Sequence, residues 1–487
     1  MRAIQTTLLA AVTATLATSA AAQTPAPTLE MRPCELSPGG ETGRCGTYWA
    51  PENREQPDGR RIPLAVVVVP ARSATPRPDP IFFFVGGPGQ AATDFAAMWA
   101  DAPDREHRDV VLVDQRGTSR EHALHCQLSG SPDNPQGYLD PIFQPALFRR
   151  CRAELEPRAD LTRYTTADYV DDVDEVRRAL GYDRINVQGG SYGTRVVLFY
   201  LRQYPRHART AYMTGLYPPT TRNPLYHAAD SQAALDSIFA LCAREAACSA
   251  AFPNLRAEFA ETMERLRRQP ARVILRDQAT GAPIGLTLDA DAFAEGVRVT
   301  MYGWDRARRL PLLLHRAHGG DYTAFAATAL ANNAALRDML HLGLGMSTIC
   351  QEDMPRITEA DIVALTRNTF LGDQRVRTQR AACAEWPTRP LPAGSMDPVV
   401  SDVPALLVSG AYDPATAPRL GDETARTLRN SLHVVVPGGH IAQSPCLAGI
   451  VSDFLERGTV QGLDTSCVSQ IRLAPFVVSE EEADANR

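Results

Sequence analysis

Gly189-Gly190-Ser191-Tyr192-Gly193 sets a serine among small neighbours, after the apolar run Ile185-Asn186-Val187 and before a helical stretch from Thr194 to Tyr204. A serine in a sharp strand-to-helix turn stands clear of the sheet at a helix N-terminus, whose dipole favours developing negative charge. Bulky neighbours would clash with the adjoining backbone, which accounts for the glycines. The chemistry this suits is nucleophilic attack. A serine hydroxyl is a weak nucleophile near neutral pH, so it needs a base, and the base needs an orienting acid. Asp413, in Gly410-Ala411-Tyr412-Asp413-Pro414, is the candidate acid, and His440, in Pro437-Gly438-Gly439-His440, the candidate base. Each follows its own apolar run. The tetrahedral intermediate of such a reaction carries an oxyanion that needs preorganised N–H donors. Gly86-Gly87-Pro88-Gly89, directly after Ile81-Phe82-Phe83-Phe84-Val85, offers one from Gly87, and Tyr192 offers the other.

Positioning these groups requires strands that end where the chemistry begins. Short apolar runs at 61–70, 81–85, 110–113, 185–188, 211–214, 405–409 and 432–436 read as strands, bounded by proline and glycine. Their continuous rather than alternating apolar character predicts a mostly parallel sheet covered on both faces. Before the serine turn, Thr165-x-x-Asp168 resembles a capping box; Tyr169, Val173, Val176 and Leu180 follow at helical spacing, and Gly181 supplies the stop. From 217 to 395 strand-like runs give way to Ala/Leu/Arg-rich helical stretches such as 231–242 and 322–342. The expected architecture is therefore α/β, a mostly parallel central sheet flanked by helices with a large helical lid inserted. Its divisions are 1–22 signal segment, 23–216 first part of the core, 217–395 lid, 396–475 second part of the core and 476–487 flexible tail.

A nucleophile, then an acid, then a histidine is the chain order of α/β-hydrolases. The residues more closely resemble the prolyl iminopeptidase and tripeptidyl aminopeptidase group of serine peptidases within that superfamily. Carrying the resemblance are Gly86-Gly-Pro-Gly89, Asp114-Gln-Arg-Gly117, Asp172, Arg177, Leu180-Gly181, Gly189-Gly-Ser-Tyr-Gly-Thr194, Cys350-Gln-Glu-Asp353, Cys383, Trp386 and Gly438-Gly-His440. The resemblance implies removal of a residue or short peptide from a free N-terminus, with a lid acid binding the substrate's ammonium. Glu352, in Cys350-Gln-Glu-Asp353, matches that acid. Two positions depart from the pattern: Val85 stands where iminopeptidases carry histidine, and the Asp114 loop lacks a second glycine. The first departure moves the match toward the secreted tripeptidyl type.

Composition narrows the setting. The 487 residues carry a formal charge of −6 and no lysine, so all 50 basic residues are arginines. Ser–Lys dyads, Schiff-base chemistry and Walker A loops are thereby excluded, and no basic patch suggests nucleic acid. Met1-Arg2, an apolar stretch from Leu8 and Ala20-Ala21-Ala22 read as a secretory signal, with no later run long enough to span a membrane. Ten cysteines follow it, dispersed and without C-x-x-C, as expected of disulfides in an oxidising compartment. Pairing neighbours in order joins Cys34 to Cys45, Cys126 to Cys151, Cys242 to Cys248, Cys350 to Cys383 and Cys446 to Cys467. The expectation is an exported serine aminopeptidase, periplasmic or secreted, acting on small peptides without metal or cofactor. A carboxylesterase or amidase for a small acyl compound is the alternative, and a non-catalytic binding protein on the same fold the third reading.

Overall fold

The computed structural model describes residues 29–127, 130–277, 280–479 and 481–482, so the expected signal segment 1–22 lies outside the described residues. A nine-stranded sheet organises them, comprising β1 (Arg32–Glu35), β2 (Thr42–Pro51), β3 (Arg61–Val69), β4 (Ile81–Phe84), β5 (Val110–Val113), β6 (Ile185–Gly190), β7 (Ala208–Thr214), β10 (Ala405–Gly410) and β11 (Ser431–Val436). Its order is β1-β2-β3-β5-β4-β6-β7-β10-β11. Pairing is antiparallel from β1 through β3 to β5 and parallel from β5 onward. Of the strands read as continuous apolar runs, β3 pairs antiparallel on both sides, and the others lie in the parallel part of the sheet. β5, β6 and β10 are buried at every residue because helices cover both faces.

The helix Thr166–Ala179 starts where Thr165 caps it, its hydroxyl accepting from the Asp168 N–H at 3.2 Å. It packs beside the helix Tyr192–Gln203 that leaves the serine turn. Arg116 ties this layer down from wholly within the protein, with Nε and Nη2 each 2.8 Å from the Asp172 carboxylate.

Between β7 and β10 the chain builds two bodies rather than one lid. Residues from His227 to Asp338 form a cap with its own apolar core around Phe259, Phe293 and Phe325. This cap also contains an antiparallel hairpin, β8 (Ala271–Arg276) with β9 (Pro283–Leu288), where only helices were expected. Val273 and Leu275 alternate inward along β8 against Leu286 and Leu288 of β9, a period-2 pattern obscured by exposed Ile274 between them. The following helix, Leu342–Glu352, instead joins the main core through Leu342, Leu344 and Met346, as do Val376 and Trp386 further on. Phe370 packs back into the cap core, so the segment 217–395 expected as a lid divides between two cores.

Of the expected flexible tail 476–487, residues 480 and 483–487 lie outside the described residues, and the first residues are fixed. Phe476 and Val477 are buried, and the Val477 N–H donates to the Arg308 carbonyl at 3.0 Å, so this segment straps the cap. All five neighbouring cysteine pairs form disulfides, and no free cysteine occurs among the described residues. Among the described residues no helix is long and apolar enough to cross a membrane.

Candidate active site

Ser191 sits in the turn between β6 and the helix Tyr192–Gln203 with φ +55°. Its glycine neighbours are required by contact. A Cβ on Gly193 would lie 2.1 Å from the Phe84 carbonyl oxygen of β4, and one on Gly189 would lie 2.4 Å from that of Gly193. Thr194 fixes the turn's far side: its hydroxyl donates to the Ser191 carbonyl at 2.7 Å and accepts from the Tyr217 N–H at 2.7 Å.

Asp413 and His440 follow β10 and β11, which are parallel neighbours in register, so both loops emerge at the same sheet edge. His440 Nδ1 is 2.9 Å from Asp413 Oδ2. Asp413 is buried, and its other oxygen accepts from the N–H groups of Ala415 and Thr416 at 2.8 and 2.9 Å. Thr416 Oγ1 lies 2.5 Å from Asp413 Oδ2 and 3.0 Å from His440 Nδ1, wedged between acid and imidazole. Burial alone would raise the Asp413 pKa, but His440 and the Thr416 donors outweigh it and hold the carboxyl below its usual range. Gly215, at φ +65°, leaves room for this pair, since a Cβ there would meet His440 Cε1 at 3.2 Å. Ser191 and His440 line one cavity, with no hydrogen bond recorded between Oγ and the imidazole. Such contacts commonly tighten only when substrate binds.

The Gly86–Gly89 loop passes directly over the serine: a Cβ on Gly86 would lie 3.2 Å from that of Ser191. The Gly86 N–H is committed to Gln90 Oε1 at 2.9 Å, whereas those of Gly87 and Tyr192 meet no recorded acceptor among the described residues. The His341 N–H donates to the Gly89 carbonyl at 2.8 Å and presses this loop down.

Glu352 is not brought to the cavity, and its expected role as an ammonium anchor is corrected. It is buried at the end of its helix, where its carboxylate accepts from the Thr166 N–H (2.6 Å), Thr166 Oγ1 (2.8 Å) and Arg195 Nη1 (3.1 Å). Thr166 Oγ1 is also 2.8 Å from the Tyr192 hydroxyl, and Asp353 takes the other arm of Arg195 at 2.9 Å. Burial pushes the Glu352 carboxyl upward against the pull of Arg195 and Thr166. It is buried, held by three protein donors and absent from the residues lining the cavity. What this acid positions is the helix behind Ser191.

The cavity, about 520 Å³, lies between core and cap. Its cap side carries residues that sequence reasoning missed: Glu295, Arg298, Tyr302, Arg306, Arg337 and Arg375. The Glu295–Arg298 pair at i,i+3 was visible as a helical ion pair, but the face it occupies was not. Thr416, three residues beyond Asp413, was likewise passed over.

The family described as alpha/beta hydrolase fold matches residues 79–250, and the one described as TAP-like protein matches residues 368–467. This chain is an α/β-hydrolase. Over 492 aligned residues the α/β-hydrolase is 27% identical to serine protease Hip1 of Mycobacterium tuberculosis, covering 90% of this chain and 91% of that one. Carboxylesterase B of the same organism is 28% identical over 468 residues, covering 88% and 86%. Proline iminopeptidase of Xylella fastidiosa is 28% identical over 142 residues, 29% of this chain and 34% of that one. Among solved structures, proline iminopeptidase of Mycobacterium smegmatis is similar at 17% identity and a TM-score of 0.40, covering 85% of this chain and 98% of that one. The chain is thus a serine hydrolase of the α/β family, similar to serine peptidases.

Proposed function

We propose that this serine hydrolase is an exported aminopeptidase that releases a residue or short peptide from free N-termini. The observation that carries the reading is the cavity shared by core and cap, with Ser191 and His440 on its core side and cap side chains opposite. Its volume is within the roughly 300–1,000 Å³ of small-ligand pockets, which suits a short N-terminal segment better than a chain threading through. Similarity to serine protease Hip1 along nearly the whole chain supports a peptide substrate. Five disulfides support an oxidising compartment.

In this reading Ser191 Oγ attacks the scissile carbonyl carbon while His440 takes its proton. The N–H groups of Gly87 and Tyr192 hold the oxyanion. The tetrahedral intermediate then collapses, and His440 returns the proton to the leaving amine. Water attacks the acyl-Ser191 ester by the same route, regenerating the serine. Asp413, steadied by Thr416, keeps the imidazole oriented and stabilises its protonated form. Candidate acceptors for the substrate ammonium among the residues lining the cavity include Glu295 and Asn223, whose Oδ1 is buried without a recorded partner.

One observation favours the second reading, an esterase or amidase. Glu295 is the only carboxylate lining the cavity among the described residues, and Arg298 already holds both its oxygens, at 2.6 and 2.8 Å. The test is mass-spectrometric profiling of a peptide library with free N-termini. The aminopeptidase reading expects N-terminal fragments of fixed length and their loss on Nα-acetylation. Ser191→Ala should lower kcat by about 10⁶. Internal cleavage, equal turnover of acetylated peptides or an undiminished Ser191→Ala rate would each overturn the reading.

A further inference from the structure

The cap side of the cavity is charged in a way that hydrolysis itself does not require. Four guanidinium groups line it, Arg298, Arg306, Arg337 and Arg375, against the single carboxylate of Glu295, a formal balance of +4 − 1 = +3. Two of the four are spent on the protein. Arg298 places Nε and Nη2 on Glu295 and Nη1 on the Tyr302 hydroxyl at 2.7 Å. Arg337 gives its two Nη groups to the carbonyls of Gly137 and Asp140 at 2.8 and 3.0 Å.

The other two keep donors in reserve. Arg375 reaches Glu295 Oε1 and Gln379 Oε1 only at 3.3 and 3.4 Å, and its Nη2 meets no recorded acceptor among the described residues. Arg306 uses Nη1 on Asn332 at 3.1 Å and has no recorded partner for Nε or Nη2 among the described residues. Arg375 lies against the Phe143 ring, 4.6 Å from its centroid, an apolar wall that strengthens any charge interaction made there.

The cluster is also close to the reacting centre. Tyr302, whose hydroxyl accepts from Arg298, stands edge-on to His440 with ring centroids 5.1 Å apart. That one side chain separates Arg298 from the base and is also a charge neighbour of both Arg306 and Arg375, so an anion held by those two would belong to the molecule being cleaved. We propose that Arg375 and Arg306 form a carboxylate-binding subsite, and that the preferred acyl half of the substrate carries an acidic side chain. The planar guanidinium fork matches carboxylate geometry, and the sequence has no lysine to offer instead. Independently, burial together with the repulsion of Arg298 and Arg337 outweighs Glu295 and pushes the Arg375 pKa down to about 10, the mark of a charge that a carboxylate shared with Arg298 only partly neutralises. His227, on the same wall, is pushed down by burial and then by Arg298 and Arg375.

This inference rests on the reading that the cap side of the cavity receives the acyl half, but it does not require a free amine, so the two can be separated. Glu or Gln is placed at each of the first three positions of an alanine-based peptidyl p-nitroanilide, each prepared with a free and an acetylated amine. Glu should exceed Gln in kcat/KM by about tenfold or more at one position, the scale of a charge-assisted hydrogen bond. That ratio should fall toward one in Arg375→Met and in Arg306→Met, the latter an exposed change that spares folding. If the anilides are not turned over, the same ratio is required of the peptides as inhibitors of p-nitrophenyl acetate hydrolysis. A ratio near one at all three positions, or a preference untouched by both variants, overturns the subsite. A Glu preference that survives acetylation with no loss of rate retains the subsite and removes the aminopeptidase reading.

Discussion

Glu352→Gln separates a residue that holds the enzyme together from one that holds the substrate. Three donors converge on the two Glu352 oxygens: the Thr166 N–H, Thr166 Oγ1 and Arg195 Nη1. A glutamine has one oxygen and one NH₂. Turned either way, its NH₂ faces the Thr166 N–H or the arginine, so one buried donor loses its acceptor. Leaving such a group unsatisfied costs about 1–3 kcal/mol. The larger figure for stranding a buried charge, about 3–5 kcal/mol, does not apply, because Asp353 still holds Arg195 at 2.9 Å. Unfolding entropy scales to about 1 kcal/mol/K for a chain of this length, so the calorimetric midpoint should fall by about 1–3 °C. Activity should fall too, since Thr166 links Glu352 to Tyr192, whose N–H is the proposed oxyanion donor. Outright loss of one such donor costs about 10²–10³ in kcat; a small displacement should cost about tenfold. The decisive feature is uniformity: free-amine and acetylated substrates should lose the same factor, mostly in kcat. A rise in KM confined to free-amine substrates, with an unchanged midpoint, would refute this account and return Glu352 to the substrate.

Two further outcomes test the scaffold. Burial pushes the Asp104 pKa up to about 6, with Arg108 pulling only weakly against it, and Asp104 Oδ1 has no recorded partner among the described residues. A carboxyl whose folded pKa exceeds its unfolded value near 3.9 destabilises the fold increasingly as pH rises through that interval, and fully above it. Asp104→Asn should therefore raise the unfolding free energy at pH 8, by up to about 3 kcal/mol, and leave it nearly unmoved near pH 4; equal shifts at both would dismiss the buried charge. Joint replacement of Cys350 and Cys383 by serine opens a loop of 33 residues that ties the helix Leu342–Glu352 to the helix Gln374–Cys383. Loop entropy puts the loss at roughly 3–4 kcal/mol, and an unchanged thermal midpoint would show that packing alone secures this junction.

Much of the molecule is readable from local pattern. The parallel strands declare themselves because both their faces are buried, leaving uninterrupted runs such as Val110–Val113 and Ala405–Gly410. The serine turn shows as well, since backbone contacts at Gly189 and Gly193 exclude any side chain. Asp413 and His440 follow because each comes directly after a strand, and register between β10 and β11 then suffices to bring them together. Neighbouring cysteines paired in order for a similar reason: closing a short loop loses the least chain entropy.

Burial and direction were decided elsewhere. Glu352 follows the disulfide cysteine in a motif that invites a functional reading, yet its helix packs into the main core, and only the fold shows Arg195 waiting there. The cap hairpin was hidden because exposed Ile274 makes Val273-Ile274-Leu275 look uniformly apolar. Phe476 and Val477 sit beside an acidic terminus that reads as solvated, and a cap core far away in sequence buries them. The arginines lining the cavity come from separate segments, at 298, 306, 337 and 375, and no local pattern assembles them. Sequence by itself thus determined the hydrolytic elements, because strand ends and tight turns are local properties. The tertiary structure decided which charges meet, which are neutralised and which stay open, because charge pairing in a cavity depends on residues that are neighbours only in space.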